Sequence, residues 1–279
     1  MPNCLVCERV VPPDSTLYGV LRRCPHCGFV FSRSESSEAE IRQIYQASYF
    51  SGGEYAGYLE DKPVLQKNFA RWVETVSRFC SGGRLYEIGA AYGFFLELAR
   101  ARWQVEGIDI AEEASAYARQ ELGLDVRCGD FLKVSLDHGP YDLFCMWDTI
   151  EHLREPQRYL EKIARHLRPG GYLALTTGDI GSWSARLQGR HWRLIHPPSH
   201  LHYFTVPTMT RLLGRHGFEV VHLSHPGFYR GLGAMARWLL NRFGRRGKAL
   251  YDRIRGARWM HVGIYVNLYD LMLVIARRP

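Results

Sequence analysis

Asp148, Glu151 and His152 stand together in the segment Asp148-Thr149-Ile150-Glu151-His152-Leu153. On a starting helix, positions i, i+3 and i+4 share a face, so two carboxylates and an imidazole would point the same way. That set suits a divalent ion such as Mg²⁺ or Mn²⁺, or a general base with an acid beside it. The same spacing is also a capping box, with Asp148 as N-cap and Glu151 at N3, which needs no chemistry at all. Downstream, Gly189 to Thr205 reads GRHWRLIHPPSHLHYFT and holds His191, His196, His200 and His202. Pro197-Pro198 forces an extended path, so these imidazoles do not share one helical face. Imidazole titrates near neutrality, so His152 or His202 can take a proton from an acceptor hydroxyl with or without a metal.

A second constellation is sulfur. Cys4-x-x-Cys7 and Cys24-x-x-Cys27 form two knuckles at the spacing of a tetrahedral zinc site. Four thiolates would close the coordination shell, which assigns the metal a structural role. Tyr18 to Arg23 and Phe29 to Ser32 read as the short strands of a zinc ribbon. Cys80, Cys128 and Cys145 read as small core residues.

The third constellation is a turn. Arg84 to Ile88 is a short strand bounded by Gly82-Gly83, and Phe94, Phe95, Leu98 and Ala99 recur at helical spacing. Between them lies Gly89-Ala90-Ala91-Tyr92-Gly93, a small-residue turn that lets backbone approach a ligand. Glu87 stands at the strand end, where a carboxylate would repel a phosphate and suit an ammonium group. Trp103 to Ile110 is a second strand ending at Asp109, placed where an acid in a nucleotide-binding fold meets ribose hydroxyls. Gly129-Asp130-Phe131 follows a third strand, and there Asp130 can also be only a turn residue.

The order Glu87, Gly89-x-x-x-Gly93, Asp109, Asp130 resembles that of class I S-adenosylmethionine-dependent methyltransferases over roughly residues 64–219 and the last strand. The resemblance departs at Ala91, where the family has a third glycine. It implies S-adenosylmethionine held by Glu87, Gly89, Ala91, Gly93, Asp109, Ile110, Asp130, Phe131 and Trp147. The segment at Asp148 is similar to one in small-RNA 2′-O-methyltransferases and ubiquinone-pathway O-methyltransferases. There an acid-x-x-Glu-His group joins a later histidine around a divalent ion, which here implies Asp148, Glu151, His152 and His202. Tyr49, Tyr55, Trp183 and Tyr203 are candidate acceptor contacts; the same rings can equally be core or ribbon packing.

These residues need a scaffold of a doubly wound α/β sheet, seven strands and mostly parallel, with a small N-terminal zinc ribbon. The expected organisation is a ribbon over 1–33, a polar linker and aromatic-rich segment over 34–80 and a methyltransferase domain over 81–279. The aromatic group comprises Tyr45, Tyr49, Phe50, Tyr55 and Tyr58, and a helix is expected over Val64 to Phe79. The sixth strand is expected over Phe218 to Ser224 and the seventh over His261 to Arg277, with a break near Asn267. A basic insertion over 228–260 separates them.

Between Arg230 and Met260 nine basic residues (Arg230, Arg237, Arg242, Arg245, Arg246, Lys248, Arg253, Arg255, Arg258) face the lone acid Asp252, which accounts for the whole formal charge of +8. Leu232, Met235, Ala236, Leu239, Leu240 and Phe243 recur there at helical intervals, with Trp238 and Trp259 nearby. A basic amphipathic helix suits an anionic membrane surface or a lipid-linked substrate, an RNA backbone, a subunit interface or packing over the active site. No apolar run reaches the roughly 18 residues of a spanning helix, and the N-terminus lacks signal-peptide character, so a cytoplasmic protein with reduced thiols is expected. The functional expectation is O-methylation of a small acceptor (a sugar, natural product or lipid-linked glycan). The alternatives are RNA methylation through ribbon and insertion, and a non-catalytic cofactor-binding or zinc-ribbon interaction module.

Overall fold

Alternation of side chains along the central strands decides the architecture, because both faces of the sheet are apolar and both must be covered. The computed structural model describes residues 3–33, 58–241, 243–254, 256, 257, 260 and 262–279. The linker, Tyr45, Tyr49, Phe50 and Tyr55 of the aromatic group, and Arg242, Arg255, Arg258, Trp259 and His261 lie outside the described residues, as do the side chains of Trp238 and Arg245.

Three short strands, β1 (Thr16–Leu17), β2 (Leu21–Arg23) and β3 (Val30–Ser32), occupy the cysteine segment. Helix α1 (Lys62–Ser77) leads into β4 (Arg84–Ile88), α2 (Phe94–Ala99), β5 (Gln104–Asp109), α3 (Glu112–Gln120) and β6 (Asp125–Cys128). The chain continues through β7 (Tyr141–Trp147), a single 3₁₀ turn (Ile150–His152), α4 (Pro156–His166), β8 (Leu167–Gly178) and α5 (Trp183–Gln188). Then come β9 (His202–Tyr203), α6 (Val206–Arg215) and β10 (Glu219–Ser224). The last elements are β11 (Phe228–Gly231), α7 (Leu232–Asn241), α8 (Gly244–Ile254), β12 (Gly263–Val266) and β13 (Leu271–Arg277).

The main sheet has the order β10-β13-β8-β7-β4-β5-β6. β13 runs antiparallel to β8 and β10, and the other pairs are parallel. Tyr86, Phe144, Met146, Leu173 and Leu175 face one way, onto Leu160 and Ile163 of α4 and Met209, Leu212 and Leu213 of α6. Leu85, Leu143, Cys145 and Trp147 face the other way, onto Phe69, Trp72, Val73 and Val76 of α1 and onto α2 and α3. Helix α1 forms because those apolar positions fall on one stripe, and its missing N-terminal N–H groups are eased by a proline in the first turn.

The doubly wound, seven-stranded reading holds, with one change at the end. The expected seventh strand over His261–Arg277 is divided in the structure. Residues 271–277 form β13, while β12 turns away to pair with β11 as a separate two-stranded ribbon. The reason is local: Asn267 Oδ1 accepts the Tyr269 amide at 2.8 Å and Tyr269 adopts φ 55°, a turn that no strand can run through. Among the described residues no helix is long and apolar enough to cross a membrane.

Candidate active site

The loop after β4 is strained on purpose. Gly89, Ala91 and Gly93 take φ of 79°, 46° and 76°. This left-handed region costs an L side chain about 1–2 kcal/mol, so glycine fills two of the three places. A Cβ on Gly89 would stand 2.5 Å from Thr149 Oγ1, and one on Gly93 would stand 2.7 Å from Leu124 Cδ1. Ala91 bears the strain, and Asp109 holds it there. Asp109 Oδ2 accepts the Ala91 amide at 2.7 Å, and its Oδ1 accepts the Ala111 amide at 2.9 Å. The Ile108 carbonyl accepts the amides of Gly89 and Ala90 at 2.9 and 3.0 Å.

A cavity of about 700 Å³ opens over this loop at the carboxyl ends of the strands. Gly89, Ala91, Asp109 and Ile110 line its floor. At one end stand Asp130 and Phe131, with Tyr159 stacked on Phe131 at 5.5 Å and donating to Asp130 Oδ1 at 3.2 Å. Lys162 is buried behind them and donates to the carbonyls of Phe131 and Val134, which pins this loop in place. Tyr58, Phe69, Trp72 and Phe228 line the opposite wall, and Trp72 stacks on Trp147 at 4.8 Å. The other end carries Trp147, Asp148, Thr149 and His152.

Among the buried polar atoms that have no hydrogen-bond partner in the described residues are Trp147 Nε1 and Glu87 Oε2. Glu87 stands beneath the loop and not on the wall itself; burial raises its carboxyl well above the usual range, with the field of Asp109 adding to the effect. Burial raises Asp109 as well, against the backbone amides that donate to it and pull the other way. An uncompensated carboxyl behind a small-residue loop fits a cationic ligand, which would restore its charge.

At the acceptor end the histidines are arranged differently from the expectation. The helix over 148–152 is a 3₁₀ turn beginning after Thr149, and Asp148 takes φ 47°. The i, i+3, i+4 face therefore does not exist, and Asp148 is not the N-cap. Its carboxylate accepts from Thr176 Oγ1 at 2.9 Å. Ligand atoms of Glu151, His152 and His200 lie within 4.8 Å of one another; Asp148 and His202 are not in that group. The His152 and His200 rings meet edge to face at 4.5 Å. His202 instead packs against Phe29 at 5.8 Å and Phe204 at 6.2 Å. His152 Nδ1 donates to the Ser199 carbonyl at 2.8 Å, which leaves the lone pair on Nε2. Burial holds His152 down to about 4, His200 to about 2 and His202 to about 4, so all three rings are neutral.

The proposed acceptor wall is also corrected. Trp183 is 61% exposed on α5, away from the cavity. Tyr203 is buried with Leu21, Val30 and Trp192 and donates to the His200 carbonyl at 3.1 Å. Tyr49 and Tyr55 lie outside the described residues. Trp72, Phe69 and Phe228, which do line the cavity, read in sequence only as helix core and insertion edge.

In the cysteine segment Cys4, Cys7, Cys24 and Cys27 bring their sulfurs together, with Cys4–Cys27 at 3.5 Å and Cys7–Cys24 at 3.6 Å. All four are free thiols. A tetrahedron of Zn–S bonds near 2.3 Å has sulfurs about 3.8 Å apart, so the set fits zinc.

Residues 64–223 match the family described as a methyltransferase domain. The chain belongs to the class I S-adenosylmethionine-dependent methyltransferases. Among its relatives is a protein of Mycolicibacterium smegmatis named a probable S-adenosylmethionine-dependent methyltransferase, 29% identical over 50% of this chain and 54% of that one. A ubiquinone biosynthesis O-methyltransferase of Bordetella bronchiseptica is 30% identical over 42% of this chain and 53% of that one. The chain thus spans about half the length of the curated relatives it matches. In fold it is similar to the magnesium protoporphyrin IX methyltransferase of Synechocystis with SAH bound (TM-score 0.55, 14% identity, 87% of this chain and 100% of that one).

For this methyltransferase, Asp109→Ala removes the clamp on Ala91 and a carboxylate from the cavity floor. Calorimetry should show cofactor affinity weakened roughly 10- to 100-fold; an unchanged Kd would remove Asp109 from the site.

The neutral histidines carry a second expectation. Each binds its proton more weakly in the fold than in the unfolded chain, where the value is about 6.5. Between about pH 6.5 and 4 the unfolded chain therefore holds more protons, so stability falls as pH drops through that window and is flat above it with respect to these groups. Melts between pH 7.5 and 4.5 should show Tm falling on the acid side, with a shallower fall in His202→Phe. Equal slopes in the two proteins would contradict neutral burial of His202.

Proposed function

We propose that this chain moves the methyl group of S-adenosylmethionine to an oxygen of a small acceptor, with His152 as the general base. The observation that supports it is His152 itself: it lines the same cavity as Asp109 and Asp130, neutral, with its ring fixed through Nδ1. Methyl transfer is an in-line displacement at carbon, so the protein's work is alignment and removal of the acceptor's proton. In this reading Asp130, Phe131 and Tyr159 seat the adenosine end, Asp109 the ribose, and the buried carboxyl of Glu87 faces the cationic amino-acid end. Trp147 and Trp72 form an apolar wall that keeps water from the reacting carbon.

Glu151, His152 and His200 offer one carboxylate and two neutral imidazoles, a donor set that fits Mn²⁺ or a similar ion better than the oxygen-seeking Mg²⁺. Bound there, such an ion would occupy the His152 Nε2 lone pair and act in place of the base, by lowering the pKa of an acceptor hydroxyl. An oxygen acceptor accords with the named activity of the Bordetella relative.

The insertion favours an acceptor met at an anionic lipid surface. Met235, Leu239 and Phe243, spaced i, i+4 and i+8, are 43, 51 and 66% exposed. On α8, Leu250 is exposed between Arg246 and Arg253 on the same face. An apolar stripe beside cations is complementary to anionic headgroups over acyl chains. The neighbouring β11 carries Phe228 on the cavity wall, so the stripe adjoins the site.

Against a panel of phenols, sugars and polyprenyl-linked glycans, His152→Ala should lower kcat by about 10²- to 10⁴-fold with the KM for S-adenosylmethionine little changed. Full activity in that variant, or methylation of nitrogen or carbon alone, ends the proposal. For the surface, the protein should sediment with phosphatidylglycerol vesicles and not with phosphatidylcholine ones. Leu239→Glu with Phe243→Glu should abolish this, and equal sedimentation with both lipids would refute it.

A further inference from the structure

The cysteine segment does more than sit beside the catalytic domain. Its strand β3 adds onto β9 of the acceptor-side loop, with Val30 opposite Tyr203 and Phe31 opposite His202. The Ser32 amide donates to the Leu201 carbonyl at 2.8 Å. Phe29, fully buried, follows the second knuckle directly: its carbonyl accepts the Cys24 amide at 2.8 Å, and its ring meets His202 at 5.8 Å and Phe204 at 5.4 Å. On the first knuckle, the Val6 carbonyl accepts from Arg215 Nη1 of α6 at 2.9 Å, and Glu8 pairs with the same arginine.

The other side of the loop is tied to the catalytic turn. The Leu201 amide donates to the Glu151 carbonyl at 2.9 Å, and His152 donates to the Ser199 carbonyl. Residues 199–203 are therefore held between the cysteine segment and the turn that carries Glu151 and His152. Strands of two or three residues cannot order themselves. β3 is flanked by β2 and follows the second knuckle directly, and the buried Val6, Val11 and Phe29 of this segment belong to the main core and form none of their own, which leaves the four clustered thiols as its internal tie.

We propose that the four-cysteine site is a positioning device for the acceptor end: metal bound by Cys4, Cys7, Cys24 and Cys27 fixes β3 and Phe29, and these fix the loop that places His200 against His152. Phe29 is a positioning residue; it touches no cavity wall. The cofactor end hangs on β4 and β5 and is independent of this chain of contacts. The functional part of the proposal rests on the reading of His152 as the base, while the structural part does not.

The test uses the full-length chain. Zinc is released with a mercurial thiol reagent and removed by chelation, and metal content is measured. Hydrogen exchange by mass spectrometry should accelerate at least 10-fold over residues 196–204 while residues 84–93 are unchanged. Cofactor affinity should stay within about two-fold. Phe29→Ala retains all four cysteines and its metal; it should show the same local acceleration, and kcat should fall about 10-fold with the KM for S-adenosylmethionine constant. Phe29→Leu should recover most of both. If metal release unfolds the whole chain, Phe29→Ala decides alone. Unchanged exchange over 196–204 in that variant overturns the proposal, as does cofactor binding weakened in step with kcat. Accelerated exchange with unchanged kcat would keep the structural coupling and reject the reading of His152 as base.

Discussion

Asp109 closes a short circuit between two strand ends. Its carboxylate takes an amide from the loop after β4 and another from the start of α3, so one side chain sets both the loop's left-handed course and the distance between the first two βα units. Without that clamp, Ala91 has no reason to hold a conformation that costs an L residue about 1–2 kcal/mol. The cavity floor is therefore a strained backbone held by a charge-assisted pair of hydrogen bonds, a rigid base against which the methyl donor can be seated. Burial of the same carboxylate makes the arrangement sensitive to what occupies the cavity: a cation above it relieves a destabilised charge.

The site divides into halves of different construction. The part around Gly89 and Asp109 comes from consecutive strands of one sheet and from the loops directly after them. The part around His152 follows β7 and is held from behind by distant stretches, the loop before β9 and β3 of the cysteine segment. Contacts there run between side chains and irregular backbone, such as His152 to the Ser199 carbonyl and Phe29 to His202. A half built from regular strands is suited to a constant ligand; a half built from loops is where a family can vary its acceptor.

This division also decides what could be read from the residues alone. That Gly89, Asp109 and Asp130 meet around one cavity was legible because each sits at or just past a strand end, where position in the chain and position in space coincide. The sulfur cluster was legible because knuckle spacing is itself geometry. The histidines were not: choosing among His196, His200 and His202 needs the path of a loop around Pro197-Pro198, and His202 packs against Phe29 where β3 pairs with β9. Asp148, Glu151 and His152 misled for a related reason, since helical spacing was assumed where the chain makes a 3₁₀ turn after a left-handed residue. At the end of the chain the break near Asn267 was legible, but not that β12 just before it leaves the main sheet to pair with β11.

The pairing of β3 with β9 has a consequence for how the protein is made. Residues 30–32 leave the ribosome early, while residues 202 and 203 follow only after most of the chain. At about 5–20 residues per second the interval is on the order of ten seconds or more. The knuckles can capture their ion during that wait, but the surface they offer to Phe204 and Leu201 stays bare until the main sheet is nearly complete. The cysteine segment is thus made well before the strand it docks onto, and its thiols wait through that interval.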